Sequence, residues 1–258
     1  MTNPDNAPEF GITTVELSVA GRRVKLEVPA PIAPVRTVQL LPIFQTLADA
    51  FVDMSVKSAE EKGAKISCRK GCGACCRQLV PISVPEARRI RALVDQMPEP
   101  RRSNVLARFE AARTSLEEAG LLDRLMEPQN VSDDQANPLG LEYFSKGIPC
   151  PFLEAESCSI HADRPIPCRE YLVTTPAENC ARPTAETVSC VNVALKASKA
   201  LLRMSATPGQ GSHNWVPLIL ALSWAQAHPE DDAPRPGTEI LHDFFVHLTG
   251  KRLPEADI

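Results

Sequence analysis

The sequence predicts a predominantly α-helical chain with small β-hairpins, an α+β class in which a compact cysteine-rich domain lies between an N-terminal hairpin and a C-terminal helical extension. Three observations lead there. Two runs near the start alternate apolar with polar residues, several later stretches repeat apolar residues at steps of three and four, and all nine cysteines fall between positions 68 and 190. With 258 residues, 43% hydrophobic and 23% charged, the chain has the profile of one or two folded domains. A net charge of −4 is too mild to argue for nucleic acid or membrane partners. The longest apolar stretch, 216–227, is broken by Pro217, Ser223 and Gln226. It falls short of the roughly 20 residues that cross a bilayer.

Residues 13–19 and 23–28 alternate around Ala20-Gly21-Arg22, the pattern of a β-hairpin with one buried face. Pro29, Pro31 and Pro34 then read as a stiff connector, so that residues 1–34 form an N-terminal unit. Over 37–61, Leu40, Leu41, Phe44, Leu47, Ala48, Phe51 and Val52 recur at helical spacing, and Lys62-Gly63 supplies the stop. Ser83-Val84-Pro85-Glu86 has capping-box spacing with proline in the first turn, which starts a helix running to Gln96. A further helix over 101–119 carries Val105, Phe109, Ala112 and Leu116 on one face and stops at Gly120. Residues 127–138 read as a loop, and 185–204, 216–228 and 238–248 as three helices, so that 193–258 is the helical extension.

The cysteines carry the chemistry. They stand at 68, 72, 75, 76, 150, 158, 168, 180 and 190. Thiols tolerated merely as core residues would be scattered among the apolar segments. Their number is odd, and the polar, acidic opening at Met1 is not the start of an export signal, so the expected compartment is the cytoplasm and the expected use is metal ligation in place of disulfides. Residues 35–192 are thus predicted to be a metal-binding domain. Between 62 and 108 there are eleven Lys and Arg against three acids, which would offset thiolate charge or simply form a solvated face. Aromatic residues make up only 5%, and Phe109 alone adjoins that basic stretch, so a base-stacking surface is not supported.

In the first group, Cys68-Arg-Lys-Gly71-Cys72-Gly73-Ala-Cys75-Cys76, a helix starting at Cys72 would put Cys72, Cys75 and Cys76 on one face, with Cys68 joining from the turn before. Adjacent thiols in a helix differ by about 100° in direction, so one of Cys75 and Cys76 serves the core or a second metal. In the second group, a tight hairpin over 148–161 with its turn at 154–157 would place Cys150 and Cys158 on facing strands, while Pro165 and Pro167 fix the backbone before Cys168. Arg164 and Arg169 are positioned to donate hydrogen bonds to thiolate or sulfide, although pairing with Asp163 or Glu170 explains Arg164 equally well.

These residues resemble the YkgJ-type cysteine-cluster family, a zinc- or iron-chelating CxxCxxCC domain. The resemblance covers Cys68, Gly71, Cys72, Cys75, Cys76, the acidic helix start at Glu86, Cys150-Pro151-Phe152-Leu153, Cys158, Ile160, Arg164-Pro165 and Cys168-Arg169. His161 stands where similar proteins commonly have tyrosine, and reads as a neutral replacement. The ligand set expected here is Cys68, Cys72, Cys75, Cys76, Cys150, Cys158 and Cys168, with Cys180 and Cys190 weaker because Cys190 falls in an expected helix beside Val188 and Val191. Eight thiols are enough for two zincs, yet a donor set of thiols with only His161 nearby favours an iron–sulfur cluster.

Cys68-x3-Cys72-x2-Cys75 matches the spacing of radical S-adenosylmethionine enzymes, but Ala74 stands where those enzymes carry an aromatic residue, and no barrel-type βα repeat accompanies it. Similarity of signature to flagellin lysine N-methylase offers an alternative, S-adenosylmethionine-dependent methyl transfer to protein lysine. The only G-x-G pairs, Gly71-Cys-Gly73 and Gly209-Gln-Gly211, follow no convincing strand. His213, His228, His242 and His247 lack a paired nucleophile or carboxylate and read as surface or core residues. The partner expected is a metal ion or cluster; no nucleic acid or membrane partner is expected, and the sequence names no protein partner.

Overall fold

The computed structural model describes residues 9–19, 21–184, 186–205, 214–229 and 232–251. Alternation at the start does form a hairpin: β1 (Phe10–Val19) pairs antiparallel with β2 (Arg22–Pro31), Val15 opposite Leu26 and Leu17 opposite Val24. Gly21, at φ 82°, supplies the positive dihedral that the two-residue connection requires. The hairpin is longer than expected. Pro29 and Pro31, read above as connector, are strand residues opposite Ile12 and Phe10. A two-stranded ribbon has only edge strands, where a missing N–H need not break a ladder.

Val15, Leu17, Val19, Val28 and Ala30 turn inward from the ribbon onto α1 (Leu41–Glu60), whose Leu41, Phe44, Leu47, Ala48 and Phe51 meet them. The same cluster takes Ala197, Ala200 and Leu201 from α7 (Ala197–Met204) and Ile240, Leu241, Phe244 and Phe245 from α9 (Gly237–Thr249). Phe44 and Phe244 stack at 4.5 Å, a contact worth about 0.5–1.5 kcal/mol beyond the area it buries. The two ends of the chain therefore share one core. A Cβ at Gly237 would stand 2.7 Å from the Pro31 carbonyl oxygen, so the start of α9 abuts β2 directly.

A second core lies under α2 (Val84–Asp95) and α3 (Arg101–Glu118), where Ile82, Ile90, Val94, Val105 and Phe109 pack with Phe152, Ile160, Val216 and Leu218. Cys150, Cys158 and Cys168 rest against this cluster. A third joins Leu116 to α4 (Leu122–Met126) and α5 (Asp133–Ser145) through Leu121, Leu125, Leu139 and Tyr143. Here the expected loop over 127–138 is corrected: α5 begins inside it, with Ser132 and Gln135 forming a capping box. Pro138 lies within that helix, and the buried Leu139 and Tyr143 offset the hydrogen bond it cannot make.

Two more expectations are corrected. Of the helix over 185–204 only α7 forms; the described residues before it are irregular, because Thr184, Thr187 and Thr175 side chains bond to nearby backbone groups that a helix would need. Residues 216–228 begin as a short strand, Val216–Pro217, paired with Pro81–Ile82, and become α8 (Ala221–Ala227) only after a 3-10 turn. His213 lies outside the described residues. Among the described residues, no helix is long and apolar enough to cross a membrane.

Candidate metal centre

Cys68 to Arg77 is a loop closed by one 3-10 turn, Ala74–Arg77. This corrects the expected helix from Cys72. Gly73 caps the turn, and Gln78 leaves it extended at ψ 153° toward the strand at Pro81, so no α-helical face forms to carry Cys72, Cys75 and Cys76 together. Gly71 has φ 86°, a dihedral at which a Cβ is strained. Gly73 has an ordinary φ, and its reason is proximity. A Cβ there would lie 2.7 Å from Leu153 Cδ1 and 3.1 Å from Glu156 Cα.

Those neighbours belong to the second cysteine segment. Its hairpin pairs Leu153–Glu154 with Ser157–Cys158 around Ala155 and Glu156, both at positive φ. The turn is where the sequence put it, but Cys158 faces Leu153, and Cys150 sits before the strand instead of across from Cys158. The two segments are joined by hydrogen bonds at two places. The Cys150 N–H donates to the Cys76 carbonyl at 2.7 Å, and Arg77 grips both oxygens of Glu156 at 2.7 and 3.0 Å and also donates to the Gly73 carbonyl. Glu86 holds the third cysteine in place. One carboxylate oxygen accepts from the N–H and hydroxyl of Ser83, and the other accepts from the Ile166 N–H at the start of α6 (Ile166–Glu170), the turn that carries Cys168.

Between the segments lies a cavity of about 170 Å³ lined by Cys75, Cys76, Cys150, Cys158 and Cys168, together with Phe152, Ile160, Tyr171 and Leu218. Burial pushes the Cys150 thiol up to about 12 and holds Cys158 and Cys168 above their ordinary value. The hydrogen bond with Cys76 raises Cys75. These shifts favour the neutral form of Cys75, Cys150, Cys158 and Cys168, and a cation in the cavity would reverse that preference by binding the thiolates. Among the described residues, no three His, Cys, Asp or Glu side chains already stand at metal-ligand spacing. The sulfurs line a space without closing on a point. The donor set fits a thiophilic metal, since neither carboxylate nor imidazole lines the cavity.

Arg164 also lines this cavity; its Nε is buried without a partner, and its charge opposes without reversing the rise that burial gives Cys68 and Cys158 and that the Cys76 hydrogen bond and burial give Cys75. Its Nη1 meets His161 Nε2 at 3.0 Å and holds His161 below its ordinary value, so His161 stays neutral beside it. Arg169 is elsewhere. It donates to the carbonyls of Arg164 and Ala162 and to the Asp49 carboxylate on α1, and braces the backbone around the cavity without lining it. The exposed Cys68 accepts the Val173 N–H at 3.3 Å, while Cys72 lines a neighbouring recess with Cys180. Cys190 is exposed and bridged to Val173, not helical. Sequence reasoning missed two features: the burial of Cys180, and the reach of Glu86 to Ile166, for which its capping-box spacing gives only half the signal.

Fold and site together define a domain with a cysteine-lined cavity resting against the second apolar core. Residues 67–191 match the model of the CxxCxxCC family, described as a "putative zinc- or iron-chelating domain". No curated protein and no solved structure matches the chain.

Proposed function

We propose that the protein binds an iron–sulfur cluster or zinc through Cys68, Cys72, Cys75, Cys76, Cys150, Cys158 and Cys168, with iron–sulfur the favoured occupant of the inner cavity. The observation that carries this is the convergence of five thiols from two distant segments on one cavity. Sulfur-only donors favour a cluster, because iron–sulfur centres are built on thiolates whereas zinc accepts histidine as readily. Arg164 supplies a buried N–H and a positive charge toward the bound sulfur, the kind of contact that tunes such centres. Arg169 acts one step further out by fixing the Arg164 backbone. When bound, the group supplies electron transfer if it is a cluster, or structural closure if it is zinc. The reading assigns the protein to the cytoplasm, where thiols stay reduced.

Anaerobic purification, a visible spectrum and measurement of iron, zinc and acid-labile sulfide test the proposal. Broad absorption near about 400 nm with iron and sulfide in similar amounts supports the cluster; colourless protein containing zinc supports the other metal. Protein that holds neither after reconstitution with each would overturn it.

A further inference from the structure

The inner cavity does not use all the thiols. Cys72 and Cys180 line a separate, open recess, which shares no cysteine with the inner cavity. Cys180 is only 6% exposed and belongs to none of the four apolar clusters among the described residues. Cys68 and Cys190 both adjoin Val173. The Cys68 sulfur accepts the Val173 N–H, and Cys190 is bridged to Val173 from the other strand.

The loop that presents Cys180 and Cys190 has little regular structure but is tied down. Asn179 donates to the Thr187 carbonyl at 2.7 Å, the Ser189 N–H donates to Thr175, and the Thr174 N–H donates to the Ser189 carbonyl. Its 3-10 turn at Ala177–Ala181 packs on the turn that carries Cys75 and Cys76. A loop fixed this way is suited to presenting ligands.

We propose that the domain has two metal positions, the second being a thiolate zinc site formed by Cys68, Cys72, Cys180 and Cys190. Four thiolates close a structural zinc site completely. This rests on the reading of the inner cavity as a metal centre only in taking Cys75, Cys76, Cys150, Cys158 and Cys168 as the other set.

The test is zinc, iron and sulfide per chain, by native mass spectrometry and elemental analysis, for the wild type, Cys180→Ser and Cys150→Ser. Cys180→Ser should lose one zinc per chain and keep the inner centre; Cys150→Ser should do the reverse. If Cys180→Ser keeps every metal, or loses all of them, the second position is overturned while the inner reading stands or falls on Cys150→Ser. A wild type without any metal sinks both. Should the variants fail to fold, alkylation of the wild type decides. Cys68 and Cys190 are exposed, so burial does not shield them. They should resist iodoacetamide in the zinc-loaded protein and react after chelation, and equal reaction in both states would overturn the site.

Discussion

Glu86 is a residue whose sequence reading was right and incomplete. The S-x-x-E spacing at Ser83 marks a capping box, and the structure has it, with Glu86 accepting from both the N–H and hydroxyl of Ser83 at 2.8 Å. Its other oxygen accepts the Ile166 N–H at 2.7 Å, eighty residues along the chain, and no local pattern could announce that partner. The carboxyl is buried, and burial outweighs its three donors and raises its pKa above the ordinary value of 4.5. The folded state thus holds the proton more tightly than the unfolded state. Its contribution to stability is complete below 4.5 and is lost as pH rises through the raised folded value. Glu86→Gln removes this slope and turns one acceptor toward a donor, at a cost of about 1–3 kcal/mol. Urea unfolding of both proteins across the acid-to-neutral range checks it: the advantage of the wild type should shrink with rising pH, and a constant gap would exclude the assignment.

At the scale of elements, the two cysteine segments are held together by backbone proximity more than by any helix. Gly73 shows this, because its φ of −93° suits any residue, while its missing Cβ leaves room for Leu153 and the Glu156 backbone. Gly73→Ala should push the second hairpin away, lose about 1–3 kcal/mol by overpacking and lower the metal content per chain. Gly71→Ala is the contrast. It strains a positive φ in open space and should cost stability without separating the segments. Thermal melts with elemental analysis distinguish the pair, and equal metal retention in both variants would contradict the close-approach argument. Elements with a strong repeat were legible, as in the alternation of β1 and β2 and the spacing of Ile240, Leu241, Phe244 and Phe245 on α9. The 3-10 turn at Ala74 and the irregular chain around Thr187 were not, since their conformation is set by tertiary strands and by side-chain bonds to backbone, which periodicity does not record.

Across the whole molecule, the cysteines and the largest core are separate structures. The meeting of the two cysteine groups was legible because soft ligands in one chain imply a common centre. The meeting of the hairpin with α9 was not, because any apolar face could have covered it. The cluster that joins β1, β2, α1, α7 and α9 contains no cysteine, whereas Cys150, Cys158 and Cys168 pack against the cluster under α2 and α3. Buried apolar area at about 25 cal/mol per Å² needs no metal, so the first core should survive metal removal. The second has a weaker claim to independence. Part of its wall is the thiol-lined cavity, and without a cation its buried sulfurs are only poor hydrogen-bonding groups around an open space. Chelation should therefore speed amide exchange in 68–82 and 148–192 while β1, β2, α1 and α9 keep their slow-exchanging amides. Hydrogen exchange read by mass spectrometry on loaded and chelated protein measures this directly. Uniform loss of protection along the chain would show that one cooperative unit spans both cores, and unchanged exchange around the cysteines would show that the metal holds nothing together.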